Sequence, residues 1–431
     1  MIVGIVTEDK SIVFNTLQKS DLCMGIKDFT KLIQKLAPDA IENKQYSEFA
    51  GETWAIDASI FFYKFSYNPE SKKPNSHIDG FYRLIYRLYK HGIRPILILD
   101  GETPSEKLHT LKKRKQQRQK NIDKIHNLQD ELISLKGAIG ESHELSHGEP
   151  HNLSHGETLE NQLKAKVNEI NQAKKNVIHF KPNVEQDICT LCDLFDVPLL
   201  RANGEADALC AKLYLEGKVQ GIMSEDSDIL LYNGGRLIRK FNHSNDVELI
   251  DLNRLLQKLK INYDQFIDLC ILCGTDYTVE KIKHMGPIGA YEFIQSGLNI
   301  EHIVANIQIS KTSTNNLKTF QKYDLPVDLN DFNYQAARAL IKNAPLIEKQ
   351  IDSLNLFNIN LIKIHQLKQY MSEKCKYREQ TIQKHYLQIP SQLPKKEKIK
   401  LQLKSGVPQD LIHGEPQAIE ALQVKIKLNL K

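Results

Sequence analysis

No stretch of the 431 residues stays apolar for the length a membrane span needs, which excludes a transmembrane helix as the organising element. No strand-like segment is followed by a glycine-rich phosphate loop, which argues against a nucleotide-binding enzyme. The N-terminus lacks the layered order of a secretory leader, because Glu8, Asp9 and Lys10 interrupt its apolar residues. Cysteine is sparse and odd in number, seven in all. That count fits a reducing, intracellular setting rather than a disulfide framework. Net charge is low for the length, +5 with histidine neutral. A nucleic-acid partner is therefore not implied by the total, and any such signal must come from local clustering.

What is present alternates between two patterns. "TWAIDASIFFYKF" reads as a strand ending at Asp57 and then an aromatic helix. "IRPILILDG" is a continuous apolar strand of the kind buried on both faces of a parallel sheet. "VPLLRANGEADALCAKLYLEG" reads as strand, turn and helix, and "VQGIMSEDSDILLY" repeats that layout. "GRLIRKF" and "DVELIDL" read as strands, and "YDQFIDLCILCGTDY" as a helix closed by a turn. The pattern predicts an α/β fold, a mainly parallel central sheet flanked by helices. Two CxxC pairs, Cys189/Cys192 and Cys270/Cys273, fall in apolar helical patterns and read as core residues rather than zinc ligands. "ELSHGEPHNLSHGETLE" carries Leu-Ser-His-Gly-Glu twice at a period of eight, and reads as a loop insertion rather than a metal site. The chain thus divides into an extension (1–23), a region ending in a basic helix (24–128), a repeat-containing insertion (129–165), an internal region closed by helices (166–389) and a basic tail (390–431).

Acidic residues gather where strands end. Asp57 and Asp100 each close a strand, Glu205/Asp207 and Asp226/Asp228 follow two more, and Asp276 follows an apolar helix. In open α/β sheets, functional groups collect at the carboxyl ends of strands. Any one of these acids reads equally well as a helix cap, Asp226 with Ser224 in particular. Seven at one sheet edge repel one another and raise each other's pKa values, unless hard divalent cations neutralise them. Two such ions form the usual clamp for phosphodiester hydrolysis. Directly after Asp100 the chain becomes a basic helix, "LHTLKKRKQQRQK". Thr103-Pro104-Ser105-Glu106 reads as its capping box, with proline at the first helical position. Lys107 and Arg114 are seven apart, and Arg118 lies four further on the same side. Cations so placed can hold a phosphate against the acidic edge.

"MGIKDFTKLIQKLAP", "AIDASIFFYKF", "GFYRLIYRLYKHGIRPILILDG", "GEADALCA", "EDSDIL" and "DLCILCGTDY", in that order and spacing, resemble the flap endonuclease branch of the XPG family of structure-specific 5′ nucleases. The resemblance runs from about Met24 to Ile389, except for the repeat. It implies the 5′ nuclease (PIN-like) fold, with a helical arch and a helix–two-turn–helix around "MGPIGAYEFI". It implies two Mg²⁺ ions, replaceable by Mn²⁺, held by Asp57, Asp100, Glu205, Asp207, Asp226, Asp228 and Asp276. Lys107 and Arg114 match the catalytic pair on the arch, Arg118 a further arch cation, and Tyr63 the base-stacking tyrosine. Gly25, Gly286 and Gly289 match DNA-contacting positions, with K⁺ expected at the helix–two-turn–helix. The implied partner is DNA with 5′ single-stranded flaps or nicks, met by a monomer. A 5′ exonuclease, a junction resolvase and a non-catalytic junction-binding protein are the alternatives. The chain departs from the family at His284 and Ile288, where the hairpin usually carries Gly and Lys. It also has 23 residues before the usual start, and no sliding-clamp motif at its C-terminus.

Overall fold

The structure is a computed structural model that describes residues 26, 28–66, 75–144, 153–174, 183–240, 246–312, 317–343 and 362–390. The extension (1–23), Gly25 and the tail beyond residue 390 lie outside them. In chain order the elements open with α1 (Phe29–Leu36), β1 (Ile41–Gln45), β2 (Thr53–Asp57), α2 (Ala58–Ser66), α3 (Ser76–Lys90) and β3 (Arg94–Leu99). They continue with α4 (Leu108–Glu144), α5 (Leu153–Lys174), α6 (Val184–Phe195), β4 (Leu199–Arg201), α7 (Ala206–Leu215), β5 (Gly221–Met223), β6 (Arg236–Arg239) and β7 (Asp246–Asp251). Helices complete the described chain: α8 (Leu252–Leu259), α9 (Tyr263–Cys273), α10 (Pro287–Gln295), α11 (Ile300–Thr312), α12 (Lys318–Gln321), α13 (Tyr334–Lys342), α14 (Ile364–Cys375) and α15 (Glu379–Tyr386).

Seven strands form one sheet in the order β1-β7-β6-β5-β2-β3-β4. The pairs from β6 through β4 are parallel, while β7 runs antiparallel to β6 and to β1. β2 is buried along its whole length, with the apolar Trp54, Ala55 and Ile56 at its centre and Thr53 and Asp57 at its ends. Successive side chains feed opposite faces: Ala55, Ile96 and Ile98 enter one core, and Trp54, Ile56, Leu97 and Leu99 the other. The first core is closed by helices that include α1, α7, α8 and α9, and the second by α2, α3, α6, α14 and α15. The result is the helix–sheet–helix sandwich that the sequence pattern predicts. Cys192, Cys270 and Cys273 are buried in these cores, and the described cysteines are free thiols.

Three expectations need correction. The basic helix does not start as the capping box at 103–106 predicts: it begins through a 3₁₀ turn, Ser105–Lys107, with Pro104 rather than Thr103 at the cap position, and the proline ring has no polar group to accept from the turn. The insertion is helical rather than a loop over its described residues, because α4 stays helical to Glu144 and α5 is helical from Leu153. The two helices pack on each other through Ile125, Leu128 and Ile170, with Lys166 paired to Glu131; residues 145–152, which hold the first copy of the repeat, lie outside the described residues. The helix expected after β5 is a 3₁₀ turn, Ser227–Tyr232.

Candidate active site

Strands β5, β2, β3 and β4 are neighbours, and their carboxyl ends deliver the acids side by side. Asp57 ends β2, with Oδ1 accepting from the amide of Ser59 at 3.1 Å and Oδ2 from the Ser224 hydroxyl at 3.0 Å. Asp100 follows β3, and its Oδ1 accepts from the amide of Ala206 at 2.8 Å, which binds it to the start of α7. Gly101 makes that approach feasible. A Cβ there would meet the carbonyl oxygen of Ala202 at 2.0 Å, while its amide donates to the Gly204 carbonyl at 2.7 Å. Glu205 caps α7 and Asp207 lies in its first turn. Asp226 caps the 3₁₀ turn that carries Asp228, accepting from the Asp228 amide at 2.9 Å. Each i, i+2 pair therefore joins one extended cap residue to one helical residue, rather than two extended ones. The capping role open to Asp226 on sequence grounds is realised, and it leaves the second oxygen to the site.

Asp57, Asp207, Asp226 and Asp228 are buried. Burial, then Asp100 and Asp226, push the Asp57 carboxyl up to about 8. Burial raises Asp226 to about 6 despite the Asp228 amide. Asp207 and Asp228 are held well above the carboxylate range, by burial first and by neighbouring acids second. One oxygen on each of these two is buried with no hydrogen-bond partner. Such groups are costly unless something neutralises them.

Part of the compensation comes from the basic helix. Lys107 pairs with Glu205 and lies 3.8 Å from Asp276, and Arg114 donates to Asp276 at 2.8 Å. Both side chains are enclosed, at 13% and 16% exposed. Burial disfavours the Lys107 ammonium, but Glu205 and Asp276 outweigh it and hold its pKa well above the ordinary lysine value. The base of the helix is fastened to the segment after Asp276. His109 lies 3.0 Å from the Thr278 carbonyl, the Thr110 hydroxyl donates to the Asp276 carbonyl at 3.2 Å, and Lys113 donates to that of Val279 at 3.0 Å. Arg118 does not reach the acids, and its Nε is buried without a hydrogen-bond partner. Tyr63 lies on α2, where only its backbone is described.

The donor set is all oxygen, which fits a hard divalent cation. Among the described residues no three acids meet in a ready-made shell.

The chain matches the XPG N-terminal domain over residues 24–121 and the XPG I-region over 196–276. Flap endonuclease 1 of Heterostelium pallidum is 30% identical over 342 residues, covering 76% of each chain. The chain belongs to the flap endonuclease branch of the XPG family. Flap endonuclease 1-B of Xenopus laevis is 29% identical over 345 residues, 77% of this chain and 78% of the relative. The fold of this flap endonuclease relative is that of the catalytic core of Rad2 in complex with DNA substrate, at TM-score 0.61 and 22% identity, covering 85% and 100% of the two chains. It is shared with flap endonuclease-1 from Methanococcus jannaschii, at TM-score 0.51 and 21% identity, covering 81% and 96%.

The stretch expected to form the helix–two-turn–helix lies between α9 and α10. His284, where the resemblance implies a glycine, has a left-handed backbone, φ 63°. Its ring contacts Asp324 at 3.5 Å, and Asp324 is tied to Lys311 at 2.7 Å. A left-handed conformation costs an L-residue roughly 1–2 kcal/mol, and β-branched residues more. His284→Val is therefore expected to lower the melting temperature by a few degrees, and His284→Gly to leave it equal or higher, as a thermal melt will show. Gly286 caps α10 and has open space where a Cβ would stand. Gly289 instead faces the Tyr323 hydroxyl, 2.8 Å from a would-be Cβ, so helix packing accounts for it.

Tyr232 and Tyr277, which sequence reasoning leaves without a role, also touch the site. Each lies at the end of a quoted motif, "EDSDILLY" and "GTDY". Their position beside acids is the one signal the sequence offers.

Proposed function

We propose that this protein is a structure-specific 5′ flap endonuclease, hydrolysing a DNA phosphodiester where a 5′ single strand leaves a duplex. The observation that carries this reading is the entry of Lys107 and Arg114 into a buried carboxylate cluster at the sheet edge. A solvated basic helix would not bury two cations there. Asp57, Asp100, Glu205, Asp207, Asp226, Asp228 and Asp276 would hold Mg²⁺, with Mn²⁺ as substitute. When bound there, such ions would supply acidity to a water and positive charge for the leaving oxygen. The remaining work falls to the chain. Lys107 and Arg114 exchange their carboxylate partners for the scissile phosphate and stabilise the charge it gains. The contacts of His109, Thr110 and Lys113 hold that pair in register. Tyr63 stacks on a base beside the phosphate. The products carry a 3′-hydroxyl and a 5′-phosphate, and trimming from a 5′ end is a secondary activity of the same site. The hairpin before α10, with K⁺, grips duplex backbone, so affinity falls with salt. The protein acts as a monomer, in the nucleus of a eukaryote.

The test is a nuclease assay on end-labelled flap, nicked and four-way-junction DNA. Flap cleavage dominates, requires Mg²⁺ and stops with EDTA. Preferential symmetric cutting of the four-way junction, or binding without cleavage, overturns the reading.

A further inference from the structure

Three separate segments bring acids to the site: the start of α7 with Glu205 and Asp207, the 3₁₀ turn with Asp226 and Asp228, and the segment after α9 with Asp276. They are joined at one point. The Tyr277 hydroxyl donates to Glu205 Oε2. The Tyr232 hydroxyl lies 2.6 Å from that of Tyr277 and 3.4 Å from the same carboxylate oxygen. Each phenol has one proton. Tyr277 gives its own to Glu205, so Tyr232 donates to Tyr277, making a relay from Tyr232 through Tyr277 to Glu205. Both tyrosines are buried, at 7% and 3% exposed, so no water competes for these bonds. Tyr232 is the last residue of the turn that begins beside Asp226, and Tyr277 directly follows Asp276. One relay therefore ties all three acidic segments together.

The relay also reaches the basic helix. Glu205 offers Oε2 to the tyrosines and Oε1 to Lys107, whose ammonium lies 5.9 Å from the centre of the Tyr277 ring. With Oε2 fixed, Glu205 cannot turn away, and its free choice is between Lys107 and a cation at Oε1. Hydrogen bonds in such a low-dielectric chain reinforce one another.

We infer that Tyr277, supported by Tyr232, is a positioning residue that fixes Glu205, and thereby sets both the divalent-cation affinity of the site and the placement of Lys107. The inference rests on the flap endonuclease reading for its kinetic arm alone. The cation-binding arm stands without it.

The experiment compares the full-length protein with Tyr277→Phe, Tyr232→Phe and Glu205→Gln. Mn²⁺ binding is titrated by electron paramagnetic resonance, and single-turnover flap cleavage is measured across Mg²⁺ concentrations. Loss of a group that orients a metal ligand commonly weakens metal affinity about 10–100-fold. Tyr277→Phe is expected to raise the Mn²⁺ dissociation constant and the half-saturating Mg²⁺ at the low end of that range, about tenfold. Tyr232→Phe raises both by a smaller factor. Flap affinity measured in EDTA stays at the parent value for both. Adding Tyr277→Phe to Glu205→Gln changes little, since both act through one carboxylate. Parent-like Mn²⁺ affinity in Tyr277→Phe, or losses that simply multiply in the double variant, overturns the inference. Should Tyr277→Phe fail to fold, Tyr232→Phe decides by the same Mn²⁺ titration. If the parent binds Mn²⁺ but cleaves no flap, the functional reading fails and the Mn²⁺ comparison still judges the tyrosines.

Discussion

Asp226→Asn is expected to do two opposite things: nearly abolish cleavage, and make the metal-free protein harder to unfold. Asparagine keeps an oxygen to accept from the Asp228 amide, as Asp226 does at 2.9 Å, so the 3₁₀ turn retains its cap. It removes one negative charge from the cation site. Cation stabilisation of the reacting phosphate is worth several kcal/mol, and about 4 kcal/mol corresponds to roughly 10³ in rate. Stability moves the other way. Burial raises the Asp226 carboxyl to about 6 in the fold, against an ordinary value of 3.8. A raised folded pKa means that stability is greatest below the unfolded pKa and is lost as pH climbs through the folded one. For Asp226 that loss falls between about pH 4 and 6 and is complete at pH 7.5. Roughly two pKa units at about 1.4 kcal/mol each set an upper limit of about 3 kcal/mol. Thermal melts in EDTA at pH 7.5 should show Asp226→Asn above the parent by a few degrees. At pH 4 the two should converge. A variant that melts lower at pH 7.5, or cleaves at the parent rate in saturating Mg²⁺, contradicts the assignment of Asp226.

The second large effect separates chemistry from general electrostatics along one helix. Lys107→Ala and Arg114→Ala should each reduce the single-turnover rate by on the order of 10²–10³, the usual loss for one preorganised charge donor. Flap affinity should barely change, because both side chains spend the DNA-free state on Glu205 and Asp276. Lys112 and Lys113 carry the same charge on other faces and are exposed. Lys112→Ala should weaken binding slightly, in a salt-dependent way, and leave the rate nearly intact. Lys113→Ala also loses a bond to the Val279 carbonyl, so a modest rate loss of a few-fold is expected there. Equal effects at all four positions, with enzyme in excess, would show that the helix acts as a charge patch and not through a facing pair.

Much of this is legible in the sequence, for specific reasons. The parallel strands that deliver the acids are short and largely buried, so their text is mostly apolar, and the acids come at or just after their carboxyl ends: Asp57 in β2, Asp100 directly after β3, Glu205 and Asp226 a few residues after β4 and β5. Lys107 and Arg114 could be read because helical spacing puts residues seven apart on one side. The polar strand β1, "IENKQ", was not legible. It is a sheet edge with little to bury, so it has no alternation to detect. The packing of α4 on α5 was missed because few apolar residues hold it and ion pairs on its surface do the rest. The Tyr232–Tyr277 contact joins residues 45 apart through hydroxyl groups, and no periodicity encodes such a bond. The left-handed backbone at His284 is likewise invisible in the sequence, because no glycine stands there to announce it.

The unbroken run of α4 places Arg114 near one end of a lever. Thirty-seven residues of helix extend about 55 Å at about 1.5 Å per residue. The fulcrum is the docking of His109, Thr110 and Lys113 on residues 276–279. A tilt of one degree about that point carries the far end through about 1 Å, while Arg114, a turn or so from the fulcrum, moves by only about a tenth of that. The arm therefore works as a mechanical reducer. Large excursions of its tip reach the chemistry as small, graded displacements, and a contact made far from the acids can adjust the aim of Arg114 without dislodging it.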